Sequence, residues 1–443
     1  MSELFELSAT EAARGIQEGR FSSAELVDAC LQRISDTDSA IGAWAFLDPD
    51  LARSQAKAMD ELRQHGKPTG PLHGVPVGIK DIFDTGDMPT AYGSPIFEKR
   101  QPTEDSTVVS RLREAGAVIL GKTVTTEFAF LAPARTQNPH RSGYSPGGSS
   151  SGSAAAVAAQ HVPLAVGSQS NGSVIRPASF CGVYGLKPSY GLVSRRGVLH
   201  TSDGLDQVGV FARSVEDAAL IVDQVMGFDI DDSATRAVPK PCLVSGFQEE
   251  VPVEPRFAFL NAAYDDRLGE DAREGFQELR EVLGNFGDVV DLPESYVHLL
   301  GHHKVLYESD IAKALGDTLA PSLEGVSAQM RETLARGSSY GTEAYQEALE
   351  AQKMSRLFFE DFFNDYDAIV APCVPGEAPS TLETTGDPTF CTLWTLLGLP
   401  CLSLPLMQGA SGLPIGVQLI AGWEEDGRLM RTARWLEHTL RDE

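Results

Sequence analysis

The sequence has no Cys-x-x-Cys pair and only six cysteines in 443 residues: Cys30, Cys181, Cys242, Cys373, Cys391 and Cys401, each alone in an apolar context. That spacing excludes a disulfide framework and a zinc ribbon, and predicts reduced packing residues in a cytoplasmic protein. No apolar run approaches the roughly 18 residues a membrane span needs. The first turns carry Glu3, Glu6 and Glu11 rather than a basic segment followed by an apolar one, so no signal peptide is expected. Basic charge is scarce: 36 Lys and Arg face 62 Asp and Glu, a net charge of -26. The deficit is uneven. Residues 1–200 carry 19 basic and 20 acidic side chains, and residues 201–443 carry 17 and 42. So acidic a surface repels phosphate backbones and anionic lipid, which predicts neither a nucleic-acid nor a membrane partner. Internal repeats and low-complexity linkers are also lacking, so one continuous domain is expected over residues 1–443.

What is present reads as alternating helix and strand. Ser8-Ala9-Thr10-Glu11 and Ser22-Ser23-Ala24-Glu25 are capping boxes that open helices, and Leu26, Cys30, Leu31 and Ile34 give the second one apolar stripe. Val75–Lys80 is β-branched and bounded by Gly and Pro, so a strand ends at Lys80. A helix over about 105–115 and a strand over 117–120 follow. The Ala-rich run 154–160 predicts a tightly packed helix, then a strand over 162–167 and a loop over 168–173. Strands are expected at 367–372, 401–406 and 415–420, with a last helix over about 427–440. The expectation is an α/β fold: a single large domain with a central mixed β-sheet flanked by helices on both faces. Its core covers about 60–210 and 366–440, N-terminal helices occupy 1–60, and a variable, helical, acidic insert spans about 210–365.

Two motifs mislead. Gly116–Thr123 matches the G-x-x-x-x-G-K-[ST] phosphate loop, which would make the chain a nucleotide-binding protein using Lys122, yet its inner residues Ala-Val-Ile-Leu favour a strand over a loop. Gly148-Ser149-Ser150-Ser151-Gly152 matches the G-x-S-x-G nucleophile elbow, but Pro139–Pro146 before it reads as loop, and none of nine histidines stands out as a partner. His161 and His200 lie in core-like runs, and His298, His302 and His303 share an acidic helical stretch. Phe128, Phe130 and Trp394 are expected in the core rather than against substrate.

Four stretches together resemble the amidase signature family: Gly74–Thr85 (GVPVGIKDIFDT), Pro146–Ala159 (PGGSSSGSAAAVAA), Asn171–Ser194 (NGSVIRPASFCGVYGLKPSYGLVS) and Gly412–Ile420 (GLPIGVQLI). The resemblance runs through most of the chain. It implies the amidase signature fold and a catalytic set of nucleophile Ser173, bridging Ser149 on a cis peptide bond, and Lys80. Backbone N–H groups of Ser170, Asn171, Gly172 and Ser173 are implied as the oxyanion hole. No metal or organic cofactor is implied, and a homodimer is the suggested oligomeric state. The chemistry accounts for these residue types. Lysine, with an ordinary pKa near 10.4, serves as a base only if burial lowers that value. A neutral Lys80 then draws the proton of Ser149, which draws that of Ser173, with Ser149, Ser150 and Ser151 giving the amine a hydroxyl-rich surround. Asp81 opposes this unless its side chain points away.

Many family members read like G-T-D-T-G-G-S-I-R at the nucleophile, where this chain has Gln169 and Ile175, and Arg176 three residues after Ser173. Both members of a buried ion pair are expected to be replaced together, leaving no lone buried charge. Ser151 stands where glycine is frequent, and the segment from Phe130 to Ser149 is short. The expected activity is that of a free-standing amidase, a Ser-Ser-Lys serine hydrolase cleaving a small, neutral, linear amide through a seryl acyl-enzyme, with release of ammonia or an amine. The alternatives are an amidase-type subunit of a tRNA-dependent amidotransferase, against which the acidic second half counts, the Lys122 nucleotide-binding protein, and a silent binding protein of the same fold.

Overall fold

The computed structural model describes residues 3–261 and 265–442. Among them, one sheet holds β1 (Trp44–Leu47), β2 (Pro76–Lys80), β3 (Val118–Thr123), β4 (Leu164–Gln169), β5 (Tyr184–Lys187), β6 (Gln207–Ala212), β7 (Phe257–Asn261), β8 (Gly287–Asp291), β9 (Ala368–Pro372), β10 (Cys401–Gln408) and β11 (Pro414–Ile420). The spatial order is β1-β3-β2-β4-β6-β5-β10-β11-β9-β7-β8. The pairs β2–β3, β2–β4, β7–β8 and β7–β9 are parallel, whereas β4–β6 and β10–β11 are antiparallel, so the sheet is mixed. Strands β2, β3, β4 and β6 are buried along their whole length, as strands covered by helices on both faces must be. One apolar cluster gathers Leu26, Leu31, Val77, Val166 and Phe211, and the other gathers Leu306, Ile311, Phe359 and Trp394.

Local signals place most elements. Both capping boxes form, Ser8 with Glu11 and Ser22 with Glu25, and the hydrogen bonds from the serines hold both carboxyls below their usual pKa. The helix Thr107–Glu114 is capped by Ser106. The Ala-rich helix begins earlier than its alanines, at Ser151, and runs to Ala158. The stretch 210–365 is not helical throughout. β7 and β8 lie inside it and extend the sheet beyond β9, which the acidic setting hides. β8 is an edge strand whose Val289 is half exposed, so it shows little of the alternation that marks a buried strand.

Because β2 and β4 are parallel neighbours, their carboxyl ends meet on one sheet edge, where open α/β sheets hold their ligands. Lys80 ends β2, and Gln169 ends β4 and leads into the loop before the helix Ile175–Cys181. Ser149 reaches the same place from the segment preceding the helix Ser151–Ala158.

Candidate active site

Lys80 is fully buried, with Nζ 2.7 Å from Ser149 Oγ and 2.8 Å from Ser168 Oγ. Burial holds its pKa well below the ordinary lysine value, and only the Asp206 carboxylate pulls the other way. The hydroxyl surround differs from the sequence expectation. Ser150 and Ser151 do not touch the amine: Ser150 Oγ donates to Ser168 O and Ser151 Oγ to Gly147 O, each tied to nearby backbone. Ser168, which no motif singled out, takes their place. The Gly148–Ser149 peptide bond is cis.

Asp81 is turned away from this centre. Its carboxylate lies 3.5 Å from Lys122 Nζ and accepts from the Ala91 N–H. Lys122 is buried and also donates to Phe83 O and Thr90 Oγ1. Burial pulls its pKa down to about 8, against the attraction of Asp81. Residues 118–123 form strand β3, so the phosphate-loop match has no loop to offer phosphate. Ser150 sits before a helix preceded by loop, without the strand an elbow requires.

Ser173 is half-buried, and among the described residues none bonds its hydroxyl; it is not hydrogen-bonded to Ser149. The loop ahead of it is held from several sides. Ser170 Oγ donates to Asp206 at 2.5 Å, and Gln169 Oε1 accepts the N–H groups of Val174 and Ile175, capping the helix that follows. Arg176 corrects the sequence expectation of no lone buried charge. Its Nη2 donates to Gly148 O and Thr385 Oγ1, while Nε and Nη1 are buried without a partner among the described residues. Burial lowers its pKa to about 10. It remains a cation in want of an anion.

A cavity of about 310 Å³ brings Phe130, Asn171, Ser173, Arg176, His303 and Tyr307 together. Phe130 thus lines the site instead of only filling the core, whereas Phe128 and Trp394 are core residues. His303, passed over in the sequence, is buried beside the Ser173 loop and bonds Ser170 O at 2.8 Å. Nothing in its acidic neighbourhood signals this contact. A larger cavity of about 570 Å³ beside Phe276 and Arg280 contains none of the predicted site residues. No three His, Cys, Asp or Glu side chains among the described residues are placed to hold a metal ion. No helix among the described residues is long and apolar enough to cross a membrane.

A family model described as Amidase matches residues 25–430. The chain is 37% identical over 483 residues to a glutamyl-tRNA(Gln) amidotransferase subunit from Anaeromyxobacter sp. (strain K), covering 99% of this chain and 97% of the relative. It is 34% identical to the subunit of the same name from Pseudomonas fluorescens (strain SBW25), covering 96% of each. Among solved structures, a chain from a vestigial protein complex connected with an s-triazine catabolic enzyme superposes with a TM-score of 0.91 at 30% identity, covering 98% of both chains. The native peptide amidase of Stenotrophomonas maltophilia gives 0.83 at 27% identity, covering 98% of this chain and 97% of that one.

Proposed function

The chain belongs to the amidase family, and from that premise we propose that it hydrolyses the C–N bond of a small amide bearing a carboxylate, through an acyl ester on Ser173. The observation that carries the reading is the Arg176 guanidinium, which lines the cavity that holds Ser173 and has two buried donors without a partner among the described residues. An anionic group on the substrate supplies the partner the protein does not. This replaces the neutral amide expected from sequence.

In the proposed sequence of steps, neutral Lys80 takes the Ser149 proton as Ser149 takes that of Ser173, so the free Ser173 hydroxyl must meet Ser149 Oγ. The seryl oxygen attacks the amide carbon, and the N–H groups of Asn171, Gly172 and Ser173 receive the oxyanion. Collapse breaks the C–N bond, the proton held by Lys80 returns to the leaving nitrogen, and water then cleaves the ester by the same relay. A cytoplasmic setting suits the six unpaired cysteines. Ammonia release from dicarboxylic half-amides and glutamine, compared with their methyl esters, tests the reading. The acids are preferred, and Arg176→Met lowers their kcat/KM about 10- to 100-fold while sparing the esters. Equal rates on acid and ester contradict it.

The curated relatives, each named as a subunit of a glutamyl-tRNA(Gln) amidotransferase, favour a second reading, in which the acid amide is glutamine and its ammonia passes to a partner within an amidotransferase. That name includes a tRNA, so the exclusion of nucleic acid drawn from net charge does not hold for this reading: tRNA is met through a partner chain. Co-purification from the native host, with the mass by light scattering, separates a homodimer from a mixed assembly.

A further inference from the structure

Three consecutive carbonyls in the loop before Ser173 are each held by a different donor. His303 Nε2 lies 2.8 Å from Ser170 O, Thr395 Oγ1 donates to Asn171 O at 2.5 Å, and the Arg176 N–H donates to Gly172 O at 3.0 Å. Only the last is an ordinary first turn of a helix. The other two donors come from distant sequence: His303 from the helix His298–Leu319 and Thr395 from the helix Thr389–Leu397. Since a carbonyl accepts, the bond to Ser170 O requires the proton on His303 Nε2. Burial lowers the His303 pKa to about 4, so the ring is neutral with that one N–H.

A trans peptide is planar, with its C=O and the following N–H pointing in opposite directions. Fixing the carbonyls of Ser170, Asn171 and Gly172 therefore fixes the aim of the N–H groups of Asn171, Gly172 and Ser173. Among the described residues none accepts from these three N–H groups. The side chains of the loop are tied down too, Ser170 Oγ to Asp206 and Asn171 Oδ1 to Thr392 Oγ1, which leaves the peptide planes little freedom to rotate.

We propose that His303 and Thr395 are positioning residues that clamp the Ser170 and Asn171 carbonyls so that the next two N–H groups are aimed in advance at the oxyanion formed on Ser173. This rests on the acyl-enzyme reading above. Neither side chain touches the reacting atoms in this role. The clamp also ties the helix His298–Leu319, from the stretch without a motif, to the chemistry at the sheet edge.

Saturable labelling of the full chain by an alkyl fluorophosphonate tests this, because the phosphoryl oxygen of the reacting probe occupies the oxyanion position. His303→Leu and Thr395→Val are each expected to lower the maximal labelling rate about 10- to 100-fold, within the loss typical of one oxyanion donor, while the half-saturating concentration stays within about threefold. His303→Gln and Thr395→Ser, which keep a donor at the same reach, recover most of the rate. Unchanged maximal rates in properly folded Leu and Val variants overturn the clamp, as does an effect confined to half-saturation, or a Gln variant as slow as the Leu one. Failure of the wild type to label at Ser173 sinks the acyl-enzyme reading instead, so the two failures are distinguishable.

Discussion

The charge state of one side chain decides whether these serines have a base. Lys80 is enclosed by Ser149 and Ser168, with no carboxylate in contact among the described residues. Below the ordinary pKa of 10.5 the unfolded chain takes up a proton that the buried amine refuses, so stability rises with pH through the window between the lowered folded value and 10.5. In that window the wild type is expected to gain about 1.4 kcal/mol per pH unit relative to Lys80→Met, read from urea midpoints at several pH values. Parallel slopes mean that Lys80 is charged in the folded state. At the nucleophile, Ser173→Ala abolishes fluorophosphonate labelling and Ser150→Ala preserves it; label remaining in the first and lost in the second restores the nucleophile elbow. Lys80, Ser149 and Ser173 were legible only as parts of motifs, since each alone reads as an ordinary strand-end or turn residue. Ser168, His303 and Thr395 were not legible. They act through contacts between segments far apart in the chain, and their own neighbours in sequence carry no trace of them.

At the scale of elements, the helix Ser151–Ala158 is set so closely against the backbone just before β1 and just after β3 that a Cβ on Gly152 meets Ala43 O and Val124 N, each at 2.3 Å. Small residues here are a packing requirement, which is why the Gly, Ser and Ala bias of the segment stood out in the sequence. Gly152→Ala forces backbone apart beside Ser149 and is expected to lower stability by about 2 kcal/mol, with a lower urea midpoint at unchanged slope. An unmoved midpoint denies the close approach. Capping boxes, the strand ending at Lys80 and the last strands were readable because each carries its own local pattern. β7 and β8 were not, because strands of five residues are too short to show a period in an acidic helical setting, and their pairing, β7 with β9 and β8 with β7, stabilises them more than their own propensity does.

For the whole molecule, the mixed sheet sets Lys80 at the end of β2 against Ser149 and leads from the end of the neighbouring β4 into the loop of Ser173, while the charge of -26 sits mainly on the second part of the chain. The family match over residues 25–430 spans both parts, so the acidic stretch belongs to the fold and is no appendage. Its charge leaves the isolated chain unsuited to a phosphate backbone. In a gel-shift experiment near 0.15 M salt it is expected to leave tRNA unretarded, and a micromolar shift by the chain alone contradicts that expectation. The central claim, a neutral Lys80 acting through Ser149 on Ser173, meets its most direct test in the pH dependence of Ser173 labelling by a fluorophosphonate. The account predicts a rate that rises with pH to a plateau, with an apparent pKa well below 10.5, and a low, flat profile in Lys80→Ala. The same rising curve in that variant contradicts it.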